Sequence, residues 1–524
     1  MPYDLLIKSG TVIDGTGKPK FTGDIGVKKD RIENIGALGD SKGTRTIDAT
    51  GKYVIPGCID ITNHSDTHLT LFRYPNLESM VMQGVTTIVG GNCGASLAPL
   101  ASDQAIDAIS KWADPRLINV NWRTFEEYLG EVQKQGPGVN FASFVGYGTL
   151  RRGVIGNDAR MLLTDEREKV KYLLAESLHE GAFGLSLGLS YGHERVSSTE
   201  ELIDVSRTVA HAKAVLKIHL RSEGKGLLAS VNEVVRIARE TGVSIQISHL
   251  KAIGKKSWPA LALALELLET AKQSGLSIHF DVSPYRTTGS LLYLLIPPGA
   301  RQGGFAELFK RIDNPEERTK IIEVLKDATI HYDRLRVSSA EVKNVVGLTI
   351  AEIAERAGLS PEEALLETVR ANEGRVSIVG KTLSLQNLFL EVKNKNALIA
   401  SDGIGTDQEA LREGNVVHPR SFGTFPHFWH RFVGSTTGIT PEEAVEKVSS
   451  GPAVKLGIKN RGFVRKGHIA DIAVFDPKLI RDRATYKNPY RYPAGIDWVI
   501  INGRVAVEEG RFLGIRAGKV IRKT

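Results

Sequence analysis

Apolar positions along this chain fall into two textures. Over residues 1–57 they come as short runs at 3–8, 11–13, 24–27, 31–35 and 53–55, broken by Ser-Gly and Asp-Gly-Thr-Gly turns. Runs of that length between turn residues predict β-strands. The C-terminal end repeats the pattern at 472–475, 498–501 and 504–507, with Asn502-Gly503 as a hairpin turn before the last run. Residues 1–57 and 460–524 together predict one small β-sandwich domain built from both termini.

The middle, 58–459, reads differently. Near-continuous apolar runs recur at 58–61, 86–89, 140–145, 182–187, 215–218, 244–247, 277–280 and 397–400. Between them lie helix-like stretches, among them 165–180, 227–241 and 259–274, with apolar residues three and four apart. Eight strand–helix alternations predict an α/β fold, a (β/α)₈ TIM-type barrel whose parallel strands are buried on both faces. The segment from about 286 to 348 breaks the rhythm with Pro297-Pro298-Gly299 and an amphipathic stretch at 305–312. It reads as an insertion after the seventh strand, either a lid that shapes the site or a structural subdomain.

Composition narrows the partners. The net charge of +8 comes from 68 basic against 60 acidic residues, with no basic block interleaved with aromatics. Phosphate-backbone affinity needs clustered cations, so nucleic acid is not an expected partner. Two cysteines, Cys58 and Cys93, build no disulfide framework. The opening residues lack the order of a signal peptide, and no apolar run is long enough to span a membrane. The expectation is a reduced, cytoplasmic protein acting on a small molecule, of undetermined oligomeric state.

In a parallel barrel, functional side chains gather at the C-terminal strand ends. His64 follows the first run, Cys93 the second, His219 the fifth, His249 the sixth and Asp402 the eighth. Any one of these alone reads as structural: a hydrogen-bonded histidine, a buried thiol, a turn aspartate. Five at equivalent positions read as a site. Cys93, His219 and His249 supply a thiolate and two imidazoles, a set suited to Zn²⁺ with a fourth position open to water. Asp402 is the expected general base and acid. Cys58 enters its strand from the opposite end and is expected in the core.

Several motifs then carry a resemblance that runs nearly end to end. They include Val54-Ile-Pro-Gly57 leading into Asp60, Gln83-Gly-Val-Thr-Thr87, Gly91-Asn-Cys-Gly94 and His219-Leu-Arg-Ser-Glu223. Ser248-His249, Asp281 with Tyr285, Ser401-Asp-Gly403, His418-Pro-Arg420, Gly423-Thr-Phe425 and Gly467-His-Ile-Ala-Asp471 continue it. The chain resembles the N-acyl-D-amino-acid deacylases (D-aminoacylases) of the amidohydrolase superfamily. That resemblance implies zinc-dependent cleavage of an acyl amide to a carboxylate and a D-amino acid. It also implies Tyr191 as a donor to the developing oxyanion, and Arg420, Lys251 and Tyr285 as substrate-binding groups. The family shows Asp-x-His-x-His after the first strand; here Thr62 stands where the first of those histidines belongs. A second, weak metal position would keep only His64 and Asp402, so one zinc is expected. Two other readings remain: a hydrolase of a cyclic amide such as a hydantoin, and a catalytically silent binding or assembly protein on the same fold.

Overall fold

The computed structural model describes residues 2–328 and 330–524. Eight parallel strands follow one another in chain order. They are Cys58–Asp60, Val85–Gly90, Asn140–Ser143 continuing as Val145–Gly146, Gly184–Gly188, Val215–His219, Ser244–Ile247, Ile278–Val282 and Ala397–Ile399. Each coincides with a predicted run to within two residues at either end.

The third strand joins two sheets. Asn140–Ser143 pairs with Val85–Gly90, while Val145–Gly146 pairs with Gly184–Gly188 beyond the break at Phe144. The eighth strand returns to the first. The Asp402 N–H donates to the Thr62 carbonyl at 2.9 Å, and the His64 N–H to the Gly403 carbonyl at 2.8 Å. Every strand therefore has a neighbour on both sides, which explains why nearly all their residues are buried.

Helices cover the outside, set by local signals. In Leu227–Thr241 the buried Leu227, Val231, Val234, Val235 and Ala238 recur every three or four residues, and Gly242, at φ 68°, ends the helix. Phe125–Gln135 opens with a reciprocal capping box between Thr124 and Glu127.

Between the seventh and eighth parallel strands lies a separate unit. Strands Thr288–Leu291, Leu335–Ser339 and Ser377–Gly380 form a small antiparallel sheet, flanked by helices Gly304–Asp313, Pro315–Asp327, Ile350–Ala357 and Pro361–Ala371. The sequence places this insertion at about 286–348, but the paired strands carry it to Gly380. Its last two helices, opened by Thr349/Glu352 and Ser360/Glu363 capping boxes, carry the same local signals as helices of the outer layer. The unit's apolar core includes Leu292, Leu308, Val337 and Leu365, and also Cys93 and Tyr191. The insertion thus packs on the functional strand ends.

The two termini meet in one nine-stranded sheet. Tyr3–Val12, ten residues long, pairs with Phe21–Lys28 on one edge and with Gly43–Asp48 then Tyr53–Pro56 on the other. Tyr53–Pro56 pairs in turn with Ile472–Phe475, which leads to Ile496–Ile501 and Arg504–Glu508. In place of two separately bonded sheets, hydrogen bonding joins all nine strands, with Gly43–Asp48 branching off Tyr3–Val12 and a register shift between Ile7 and Gly10. Residues of both ends, including Ile7, Val27, Ile472 and Ile500, share one core. Asn502 and Gly503, at φ 51° and 76°, make the predicted turn. The Ala-Asp element near the C-terminus is a joint. The buried Asp471 carboxylate accepts from Asn140 Nδ2 at 3.0 Å on the third parallel strand and from the Asn502 N–H at 2.7 Å, and pairs with Arg461. No helix among the described residues is long and apolar enough to cross a membrane.

Candidate metal centre

Cys93 sits on a turn held by buried side-chain hydrogen bonds. After the second parallel strand, Asn92 Nδ2 donates to the carbonyls of Val89 at 2.7 Å and Asn63 at 2.8 Å, and the Gly91 N–H donates to Asp66 Oδ2 at 2.6 Å. The Glu194 carboxylate lies against the α-carbon of Gly94, in the space that any β-carbon would take. The Gly94 N–H is anchored on Ser186 Oγ at 3.1 Å. This wraps the chain so that the thiol faces inward over the strand ends.

The ligand atoms of Cys93, His219 and His249 all lie within 4.8 Å of one another, and all three residues are buried. Cys93 Sγ is 3.5 Å from His249 Nε2. Zinc with bonds of about 2.3 Å to sulfur and about 2.05 Å to nitrogen, at a tetrahedral angle, sets its two ligand atoms about 3.6 Å apart. The observed separation matches that requirement. The imidazole environments fix where the lone pairs point. His219 Nε2 is 2.8 Å from Ser190 Oγ, while its Nδ1 is buried with no hydrogen-bond partner among the described residues. His249 Nδ1 is 3.0 Å from Glu223 Oε1, which leaves Nε2 toward the sulfur. An oriented imidazole, an imidazole with one buried and unpartnered nitrogen, and a thiol converge, so the residues fit a metal ion.

Electrostatics agree with the geometry. Burial alone would raise the Cys93 thiol, but His219, His249 and His64 around the sulfur pull it well below the usual thiol range. Asp402 behaves likewise: burial opposes ionisation, and Arg420, His249 and His64 overcome it, holding the carboxyl far below its ordinary value. Asp402 Oδ2 accepts from Arg420 Nη1 at 2.6 Å, and Oδ1 is 3.2 Å from His64 Nε2. His64 Nε2 is in turn 3.9 Å from Cys93 Sγ. Lys251 Nζ donates to Glu223 Oε1 at 2.6 Å, next to His249.

Three of these residues hold backbone conformations that side chains disfavour. Cys93, His249 and Asp402 have φ of 54°, 37° and 51°, each just beyond a strand end. Non-glycine residues in that region are uncommon and concentrate at functional positions.

A cavity of about 700 Å³ opens above the cluster. His64, Cys93, Tyr191, His219, His249, Lys251, Asp402 and Arg420 line its floor and sides, and Leu291, Leu295, Ile378 and Val379 of the insertion line its far wall. Tyr285 is not among the lining residues. Its ring is stacked on His427, centroids 4.4 Å apart, and meets His418 edge-on at 5.3 Å. It buttresses the start of the helix carrying Arg420, Arg420–Phe432, instead of reaching the cavity.

Comparison with known proteins follows the same lines. A model of the amidohydrolase family matches residues 322–506. D-aminoacylase of Alcaligenes xylosoxydans xylosoxydans is 30% identical, with 100% of this chain and 98% of the relative covered. This chain belongs to the D-aminoacylase family of amidohydrolases. Within that family, N-acyl-D-glutamate deacylase of the same organism is 31% identical, covering 99% of this chain and 96% of the relative. The crystal structure of N-acyl-D-glutamate deacylase from Bordetella bronchiseptica, complexed with zinc and a phosphonate inhibitor, superposes with a TM-score of 0.83 at 27% identity over 100% of both chains.

Some participants go unread in the sequence. Ser190, the partner of His219 Nε2, stands next to Tyr191 in a Gly188-Leu-Ser-Tyr191 stretch that the family shares, but nothing in it marks the hydroxyl as a histidine's partner. Glu223 lies inside the His219-Leu-Arg-Ser-Glu223 element, and a carboxylate four residues after a candidate ligand is the signal that marks it as an orienting group. Lys111 gives no sequence signal, yet its Nζ lies 4.4 Å over the Tyr191 ring and 4.0 Å over that of Trp112.

Proposed function

We propose that this protein hydrolyses the acyl amide of N-acyl-D-amino acids, with zinc held by Cys93, His219 and His249. The carrying observation is the convergence of thiol and imidazole lone pairs beside the Asp402–Arg420 pair, at the floor of a cavity. The strand ring supports reading 58–459 as a (β/α)₈ barrel with its site at the C-terminal strand ends, and 1–57 with 460–524 as the β domain.

When bound, a zinc ion supplies Lewis-acid chemistry, acidifying a water and polarising the amide carbonyl. The remaining work falls to side chains. Asp402, held ionised by Arg420 and His64, is the proton acceptor as water oxygen bonds to the carbonyl carbon. The same carboxyl then returns that proton to the nitrogen as the C–N bond breaks, so water is divided between acid and amine. Burial and the nearby Cys93 thiolate keep Tyr191 a protonated phenol, a donor suited to the oxygen that gains charge. Arg420 keeps further N–H donors beyond the one spent on Asp402, and a substrate carboxylate is their expected acceptor. Lys251, tied to Glu223, adds a second cation to the cavity lining. Tyr285 acts on Arg420 through packing, and the insertion supplies the apolar wall for the substrate.

The test is product release from N-acyl-D- and N-acyl-L-amino acids, with a hydantoin as control, alongside metal quantitation. The expected result is amino-acid release from the D series with about one zinc per chain. Hydantoin opening without release would reassign the protein to cyclic amides, and zinc near zero would remove the hydrolase reading.

A further inference from the structure

Thr62 has a partner that explains its presence. Lys217 lies on the fifth parallel strand two residues before His219, so both side chains project to the same face, the lysine one layer deeper. Lys217 is wholly buried, as is Thr62. Its Nζ donates to Thr62 Oγ1 at 2.6 Å and to the Ile61 carbonyl, and lies 3.8 Å from Asp281 Oδ2. The Phe144 ring is 5.5 Å away. Three oxygens and an aromatic face surround the nitrogen, so the head group is fixed in place.

The two residues exclude larger alternatives. An imidazole at position 62 that followed the direction of the Thr62 hydroxyl would run into the lysine head group, 2.6 Å from that oxygen. Conversely, the lysine reaches this level because position 62 ends at a short hydroxyl. Among the described residues, a second ion beside the first would add His64 and Asp402 to the shared Cys93 sulfur, and one oxygen of Asp402 is already held by Arg420. The Thr62 hydroxyl is a poor metal donor, and it is already engaged by the lysine head group beneath it.

We infer that Lys217 and Thr62 form a matched pair that closes the second metal position and keeps the centre mononuclear. The inference rests on the zinc reading of the Cys93 cluster and concerns only how many ions it admits.

Zinc per chain decides it, measured on the full-length protein after equilibration with excess zinc and gel filtration, with folding followed by circular dichroism. Wild type, Lys217→Ala and Thr62→His should each hold one zinc. The double variant Thr62→His/Lys217→Ala should rise from one to two. A second zinc in wild type, or in Thr62→His with the lysine in place, would overturn the pairing. So would a folded double variant that stays at one. If the double variant does not fold, Thr62→His alone still decides, since a second ion there means that the lysine excludes nothing. Wild type with no zinc is a different failure, that of the cluster as a metal site.

Discussion

Replacing Glu223 with Gln removes a negative charge beside His249 while keeping the side chain's shape. Both donors, His249 Nδ1 at 3.0 Å and Lys251 Nζ at 2.6 Å, converge on the same oxygen, Oε1. A glutamine carbonyl can still accept from both, so the variant isolates the charge. Hydrogen bonds to charged groups contribute about 1.5–3 kcal/mol against about 0.5–1.5 for neutral ones. The imidazole therefore loses about 1–1.5 kcal/mol of support for its donor form, close to tenfold in metal affinity. Glu223→Ala removes the acceptor as well, and leaves Lys251, 2.8 Å from His249 Nδ1, as a cation facing the ligand. Its loss should approach the upper end of about 10–100-fold seen when groups behind metal ligands are removed. Competition against a chromophoric zinc chelator measures both constants. If Glu223→Ala binds zinc as wild type does, the hydrogen bond to His249 has no part in the metal site and the orientation argument is refuted.

Other consequences are open to measurement. Cys93→Ala should lose zinc and turnover together; a zinc-free variant that still hydrolyses would show that the cluster is not the catalytic centre. Asp402→Asn should retain zinc and lose turnover by about two to four orders of magnitude, as for a missing acid/base, and unimpaired kcat would discard Asp402. Away from the site, burial together with Lys455 and Lys272 holds His279 down to about 3. Its unfolded counterpart protonates near 6.5, so between those values the unfolded chain binds more protons and stability falls as pH drops. His279→Gln should flatten the decline of Tm across that window, and an unchanged slope would remove His279 from the acid response.

The parallel strands were legible because burial on both faces concentrates apolar residues into short runs between helix-like stretches: Val215, Leu216 and Ile218 in one, Ile245 and Ile247 in the next. The insertion's extent was not. Helix Ile350–Ala357 has ordinary helical periodicity and capping, and nothing local says whether a helix covers the strand ring or a small sheet beside it. In the site, Cys93, His219, His249 and Asp402 were readable from position alone, since strand ends converge. Tyr285, expected at the substrate, packs against His427 and His418, since a motif reports a neighbourhood and not the direction of a ring. Lys217 was invisible for a related reason: inside an apolar strand its meaning depends on Thr62, 155 residues away in the chain.

The left-handed turns at Cys93, His249 and Asp402 mean that the scaffold works against its own local preferences to aim these groups. Each such residue costs of order 1–3 kcal/mol that the surrounding packing must offset. Glycine at any of the three would relieve that tension while abolishing the chemistry. A lineage released from the need to hydrolyse amides would therefore gain thermal resilience by shedding its reactive groups, so decay of function here runs downhill in folding energy.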